Sequence, residues 1–435
     1  MSFRETFFNK IFTLRNLFIL FNFSVLFLFL YALALDWNRE WKPYQKQYQR
    51  LDKAASKHGL EIKQILATDF KRVDRCITCH AGYDSFTNPT LTNEYKEHPY
   101  AAPKNAIHEK HPSDKYGCTV CHEGQGLATT FVDAAHMPKS KAQEEEWKNK
   151  HDWKVVEFWE QPMKAGPLLY ASCSKCHEVH PKVAGMEIVK KGEKLAFENG
   201  CIGCHQIRGE GGTIAPDLAE ETSVKPLTRI DFGPAIVSGL ITEEERTLEN
   251  WIRLHFATAP QALTPGDPEG HLSPDPKNPQ PVAPSGMPYF GFSKDETEAL
   301  VAFVTSLKRE KIPYTYHIAA PPKRDPYYAD PVQQGRHTFQ KYGCTGCHGK
   351  NADHGIPIFN RQGQRAPDLV KTVGTFTREE LIKKIQTGVN PEEKENPNGP
   401  TPPIYMPPFK DRIKGAELEN LVSYLMSIAE KTEEW

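Results

Sequence analysis

The chain has almost no imbalance of charge. Over 435 residues, 54 Lys and Arg stand against 55 Asp and Glu, a formal net charge of −1. No basic footprint for nucleic acid follows, and no nucleic-acid partner is expected. Apolar residues are also sparse, at 39% of a sequence that holds 35 prolines. Finally, no cysteine is spare: all ten fall within five copies of one pattern, C-x-x-C-H.

The copies are Cys76/Cys79/His80, Cys118/Cys121/His122, Cys173/Cys176/His177, Cys201/Cys204/His205 and Cys344/Cys347/His348. A disulfide scaffold suits short secreted chains, and local C-x-x-C loops would staple little in a chain this long. A zinc site asks for paired C-x-x-C, or C-x-x-C with a separate histidine pair, and does not need His as the fifth residue each time. Covalent haem attachment does need it: two thiols add across two vinyl groups, and the adjacent imidazole ligates iron from one side. Five covalently attached haem c groups are therefore expected. Large porphyrin faces would also let polar, proline-rich segments fold around them. Their ten propionates would take the net charge of −1 to roughly −11 with ferrous irons and full ionisation.

Residues 17–35, "LFILFNFSVLFLFLYALAL", are apolar apart from Asn22 and Ser24. As a helix they span about 28 Å, close to a bilayer core of roughly 30 Å. Ala32-Leu33-Ala34 resembles a signal-peptidase site, but the run exceeds the usual h-region, which favours a retained anchor in the lipid bilayer. Flanking charges do not decide orientation, with Arg4, Lys10 and Arg15 before the span and Arg39, Lys42, Lys46 and Arg50 after it. Haem attachment belongs to the oxidising side in bacteria. The expectation is thus a single-pass protein of the bacterial inner membrane with its haem domains in the periplasm.

The expected fold is mainly α: one N-terminal transmembrane helix, a loop-rich triheme region organised around haems, and two all-α domains. The segments are a cytoplasmic N-terminus (1–16), the anchor (17–36), a helical stalk (37–72), the triheme region (73–186), a first domain (187–312), a Pro-rich linker (313–332) and a second domain (333–435). The stalk carries Trp41, Tyr44, Tyr48 and Leu51 at helical spacing, starting near Pro43. The last two domains form an internal repeat. "KKGEKLAFENGCIGCH", "APDL", "SGMPYF" and "KDETEALVAFVTSL" return as "QQGRHTFQKYGCTGCH", "APDL", "IYMPPF" and "KGAELENLVSYLMSI". Residues 260–288 read as a surface excursion of the first unit.

Each repeat resembles the single-haem class I cytochrome c domain. That resemblance implies that Met287 and Met406 are second axial ligands, and that the Pro216 and Pro367 carbonyls accept a hydrogen bond from the haem histidine, fixing its tautomer. For the first three haems the sixth ligands are expected among nearby histidines. His98, His111 and His136 are favoured over His58, His108, His151 and His180, with Met137, Met163 and Met186 in reserve.

"VDRCITCHAG", "KYGCTVCHEGQG", the later "AAH" and "CSKCHEVH" together resemble membrane-anchored multihaem cytochrome c subunits that accompany bacterial cytochrome bc-type quinol oxidoreductases. The implied partners are quinol-oxidising membrane subunits such as cytochrome b and an iron-sulfur protein, and a soluble cytochrome c or other periplasmic electron acceptor. The implied role is a non-catalytic electron-transfer subunit of a quinol:cytochrome c oxidoreductase complex in a respiratory chain. Alternatives are the pentahaem subunit of alternative complex III, a multihaem reductase or peroxidase with one open haem, and a direct quinol dehydrogenase. The 40 residues between anchor and first motif argue against the last.

Overall fold

A computed structural model describes residues 13–52, 59–83, 109–156, 161–219, 230–308, 312–318 and 330–430, apart from short internal stretches (165, 179–182, 268, 272–276, 354, 356–364, 390–395 and 399–404), and also Lys57, Tyr95, His98, Trp159 and Leu227. The described residues are mainly α-helical, with two small two-stranded sheets. They divide into two compact units, one of residues up to 119 with 125–134, the other of 120–124 with 135–435.

In the first unit, helix α1 (Leu14–Trp37) starts at Thr13, whose side chain accepts a hydrogen bond from Asn16 N. None of its residues is buried, and its most apolar 18-residue stretch has a mean hydropathy of 2.4. At 1.5 Å per residue its 24 residues extend about 36 Å, which is compatible with a single-pass membrane anchor. Asn22 and Ser24 each satisfy a side-chain donor within the helix. Each donates to a carbonyl one turn back, Phe18 O and Leu20 O, both at 2.8 Å.

Helix α2 (Trp41–Leu51) starts two residues before Pro43, which sits in the first turn where a missing N–H costs nothing. Its buried face is Trp41, Gln45 and Tyr48, whereas Leu51 is exposed. Gln45 displaces Leu51 from the packed face because its amide is fully used: it donates to Glu61 O and Thr78 O at 2.7 and 2.9 Å and accepts from Glu61 N. Tyr48 stacks on Tyr95, ring centroids 6.0 Å apart. A short antiparallel ladder follows, β1 (Ile65–Ala67) on β2 (Arg72–Asp74), with Ile65 opposite Asp74. It delivers the chain to the first motif.

In the second unit, α3 (Glu187–Glu198), α4 (Leu248–Ala257) and α5 (Lys294–Ser306) build the first repeat. Helices α6 (Pro331–Lys341), α7 (Arg378–Thr387) and α8 (Ala416–Ile428) build the second. The opening and closing helices of each repeat cross at one glycine. A Cβ on Gly192 would run into the Ala299 carbonyl, and one on Gly335 into that of Asn420. These glycines are the third residues of "KKGEKLAF" and "QQGRHTF", so the repeat in sequence is a repeat in crossing geometry.

The two closing helices differ in burial. Helix α8 has one buried face, as its pattern implies, but α5 is buried almost all round. Helix α3 covers it on one side, α4 on another, and residues 166–175 on a third. The excursion in the first repeat has structure of its own: Asp267 and Val282 pair as an antiparallel bridge, and Gln261 donates to Ser285 O and Met287 O.

Gly192→Ala and Gly335→Ala each force backbone apart at a packed crossing. We expect each to destabilise the second unit by about 1–3 kcal/mol, while Gly59→Ala, in open space, leaves it unchanged. Denaturant unfolding of the full chain in detergent, followed by far-ultraviolet circular dichroism, measures this.

Candidate haem-attachment sites

Each C-x-x-C-H motif folds as a single helical turn. The histidine amide donates to the first cysteine's carbonyl in the first, third and fourth motifs: His80 to Cys76 at 2.9 Å, His177 to Cys173 at 2.8 Å and His205 to Cys201 at 3.0 Å. The second motif is helical over Thr119–His122 and the fifth over Cys344–His348. Residues i, i+3 and i+4 of one turn share a face, so two thiols and an imidazole converge. That is the donor set a porphyrin with two vinyl groups requires. Among the described residues, no group of three or more His, Cys, Asp or Glu is arranged to hold a bare metal ion.

The two repeats complete the site in the same way. His205 Nδ1 lies 2.8 Å from Pro216 O, and His348 Nδ1 lies 2.9 Å from Pro367 O. A carbonyl only accepts, so the proton stays on Nδ1 and the Nε2 lone pair is left for iron. Burial lowers the His348 pKa, against the Pro367 bond that raises it, which keeps the ring neutral at neutral pH. Burial pushes the Cys201 and Cys344 thiols up to about 12 and Cys173 up to about 11, so all three stay protonated.

Met287 packs against the core cluster that also holds Cys201, and Met406 against the one that holds Cys344. Both sit on pinned backbone: Met287 O accepts from Gln261, and Met406 O from Val389 N at 2.9 Å. Met186, by contrast, is fully buried in the first repeat's core, a packing position.

The histidines favoured for the first three sites fall in both units. His98 is half-buried, its amide donating to Tyr83 O at 3.0 Å, and His111 lies 5.1 Å from the Tyr116 ring. Both belong to the first unit. His136 belongs to the second, where it lines a cavity of about 590 Å³ together with Met137, Val155, Trp159, Ile230 and Phe232. Among the described residues, no cysteine lines that cavity. His151 and Met163 are half-buried elsewhere in the second unit, and His58, His108 and His180 lie outside the described residues.

Two buried carboxylates organise these loops, and composition gave no sign of either. Asp74, fully buried at the end of β2, accepts from Cys118 N, Thr119 N and Thr119 Oγ1, so the residue before the first motif's Arg75 holds the start of the second. Glu123, immediately after His122, is 1% exposed and has a left-handed backbone at φ 59°. Lys175 Nζ pairs with it at 2.7 Å, with Lys164 and Lys308 both at 3.9 Å. Lys175 is an inner residue of the third motif and also donates to Val120 O. Three ammonium groups surround this carboxylate, and burial pushes the Lys164 pKa down, toward the neutral amine. The sequence signal was "CHEG" read with "SCSKCH": an acidic residue and a lysine placed at two attachment loops.

The third motif is also tied to the described start of the linker. Ile318 N donates to Cys176 O at 2.7 Å and Ile318 O accepts from Glu178 N at 3.1 Å, a parallel bridge.

Comparison with known proteins bears on the two repeats. Residues 330–425 match the family model of cytochrome c oxidase, cbb3-type, subunit III, and residues 189–232 match that of cytochrome c. Two stretches of this chain are thus similar to cytochrome c domains. They imply covalently bound haem c and haem-based electron transfer. The chain is also 28% identical over 122 residues to cytochrome c oxidase subunit 2 of Alkalihalophilus pseudofirmus, a match that spans 28% of this chain and 26% of that protein. No solved structure matches the chain.

Removing either buried carboxylate leaves its partners unpaired. Asp74→Ala should destabilise the first unit by roughly 3 kcal/mol, three bonds to one charge being lost. Glu123→Gln should cost the second about 3–5 kcal/mol, the usual effect of breaking a buried ion pair from one side. Urea midpoints of the purified variants provide the measurement.

Proposed function

We propose that the chain is a pentahaem c-type cytochrome, held in the bacterial inner membrane by α1 with its haem domains in the periplasm. In this reading it passes electrons from a quinol-oxidising complex of the cytochrome bc type to a periplasmic acceptor. The observation that carries it is the helical turn common to all five motifs, completed in both cytochrome c domains by the same histidine-to-proline hydrogen bond.

Haem c, when bound, supplies reversible one-electron chemistry at iron. Around it, Cys76, Cys79, Cys118, Cys121, Cys173, Cys176, Cys201, Cys204, Cys344 and Cys347 provide the thioether sulfurs. His80, His122, His177, His205 and His348 provide the proximal imidazoles. Met287 and Met406 cap the two cytochrome c domains, and His98, His111 and His136 the first three sites. A second strong ligand keeps small molecules off the metal. Methionine raises potential relative to histidine, so the ligand order runs downhill toward the C-terminus.

The partial match to an oxidase subunit supports partners within a membrane electron-transfer complex. The pentahaem subunit of alternative complex III would share anchor and haem count, and co-purification in mild detergent separates the two assemblies by their companion subunits. The His136 cavity does not favour the other reading, a reductase or peroxidase: its Lys154 and Arg246 are offset by Asp231, Glu243 and Glu244, and Glu243 pairs with Arg246 at 3.1 Å.

Intact mass and pyridine haemochrome analysis of the membrane-purified chain should show five haems. Fewer would overturn the reading. Cyanide should leave the ferric Soret band unmoved, whereas a prompt shift at one haem would favour the reductase. Met406→His should lower one midpoint potential by on the order of 0.1 V, within the roughly 0.8 V that axial ligands command.

A further inference from the structure

Of the five motifs, only the fourth and fifth read G-C-x-G-C-H, "GCIGCH" and "GCTGCH". The structure gives these four glycines a common setting. A Cβ on Gly200 would come within 2.6 Å of Gly346 Cα, and one on Gly346 would meet Gly200 O. A Cβ on Gly203 would meet Gly343 O and lie 2.7 Å from Gly346 Cα, while one on Gly343 would meet Gly203 Cα. The pairing is reciprocal. The glycine before each motif lies against the glycine inside the other, as in a local two-fold contact between like surfaces.

Backbone meets backbone there, and no side chain fits between. At the rim, Arg412 donates to Gly211 O, and Lys350 lies 3.4 Å from Glu198. A last domain that swings freely on its linker, the arrangement a proline-rich tether would permit, is not what this contact describes.

We infer that Gly200, Gly203, Gly343 and Gly346 are positioning residues that lock the fourth and fifth attachment motifs together, so that the two cytochrome c domains act as one fixed redox pair. The functional part of this rests on haem occupying both motifs; the docking does not. The reciprocal glycine contacts bring the attachment edges of the two domains side by side. An acceptor would then dock on a rigid two-domain body.

The test uses the full-length, haem-loaded protein in detergent and has two readouts. A zero-length carbodiimide activates the Glu198 carboxylate, and the Lys350 amine displaces the activating group as a urea, leaving an amide bond. Peptide mapping should find that Glu198–Lys350 amide in the unmodified protein. In Gly203→Ala and Gly346→Ala its yield should fall about tenfold, with Gly59→Ala as control.

Soret-region circular dichroism is the second readout. A bisignate couplet from the fixed pair should be lost in the same variants at unchanged haem count. If those variants do not fold, Arg412→Ala, which removes the bond to Gly211 O and the guanidinium's place over the Tyr342 and Phe409 rings, should reduce the couplet without touching the glycines. No Glu198–Lys350 amide in the unmodified protein, or an undiminished couplet in loaded Gly203→Ala, overturns the inference. A haem count below five with the amide present would instead refute the pentahaem reading and leave the docking intact.

Discussion

One turn of helix is the constraint on which the rest of this molecule depends. Closing the histidine amide onto the first cysteine's carbonyl fixes three side chains on one face, at the cost of ordering only five residues. That turn is too short to be stable alone. Every larger feature near a motif therefore supplies a backbone clamp: Asp74 on Cys118 and Thr119, Lys175 on Val120, Ile318 on Cys176, and a packed glycine behind Cys201 and Cys344.

The clamps use charge where apolar surface is scarce. In the first unit and around the second and third motifs, buried Asp74 and Glu123 take the organising place that aliphatic side chains hold in the two repeats. Such groups are weak sources of net stability, because desolvation offsets much of their attraction, but they tolerate few alternative arrangements. A loop that must present two thiols and an imidazole in one geometry gains more from that selectivity than from added burial.

What the sequence made legible followed from spacing. The five motifs and the repeat lie at fixed offsets, whereas the proline partners of His205 and His348, 11 and 19 residues on, followed only from the resemblance to class I cytochrome c domains. Other features depend on residues far apart in the chain. Gln45 enters a buried face in place of Leu51 because Glu61 and Thr78 saturate its amide. Helix α5 is enclosed rather than half-exposed because residues 166–175, read as loop, cover its third side. The glycines of "GCIGCH" and "GCTGCH" look like ordinary loop residues until the two motifs are seen against each other. His98, His111 and His136 looked alike in sequence, yet they divide between the two units.

The acceptors that orient His205 and His348 are main-chain oxygens. No exchange of side chain at Pro216 or Pro367 can delete them; only a shift of the chain itself can. Imidazole basicity in these domains is thereby shielded from point mutation, and its adjustment over evolutionary time would have to come through loop length and packing.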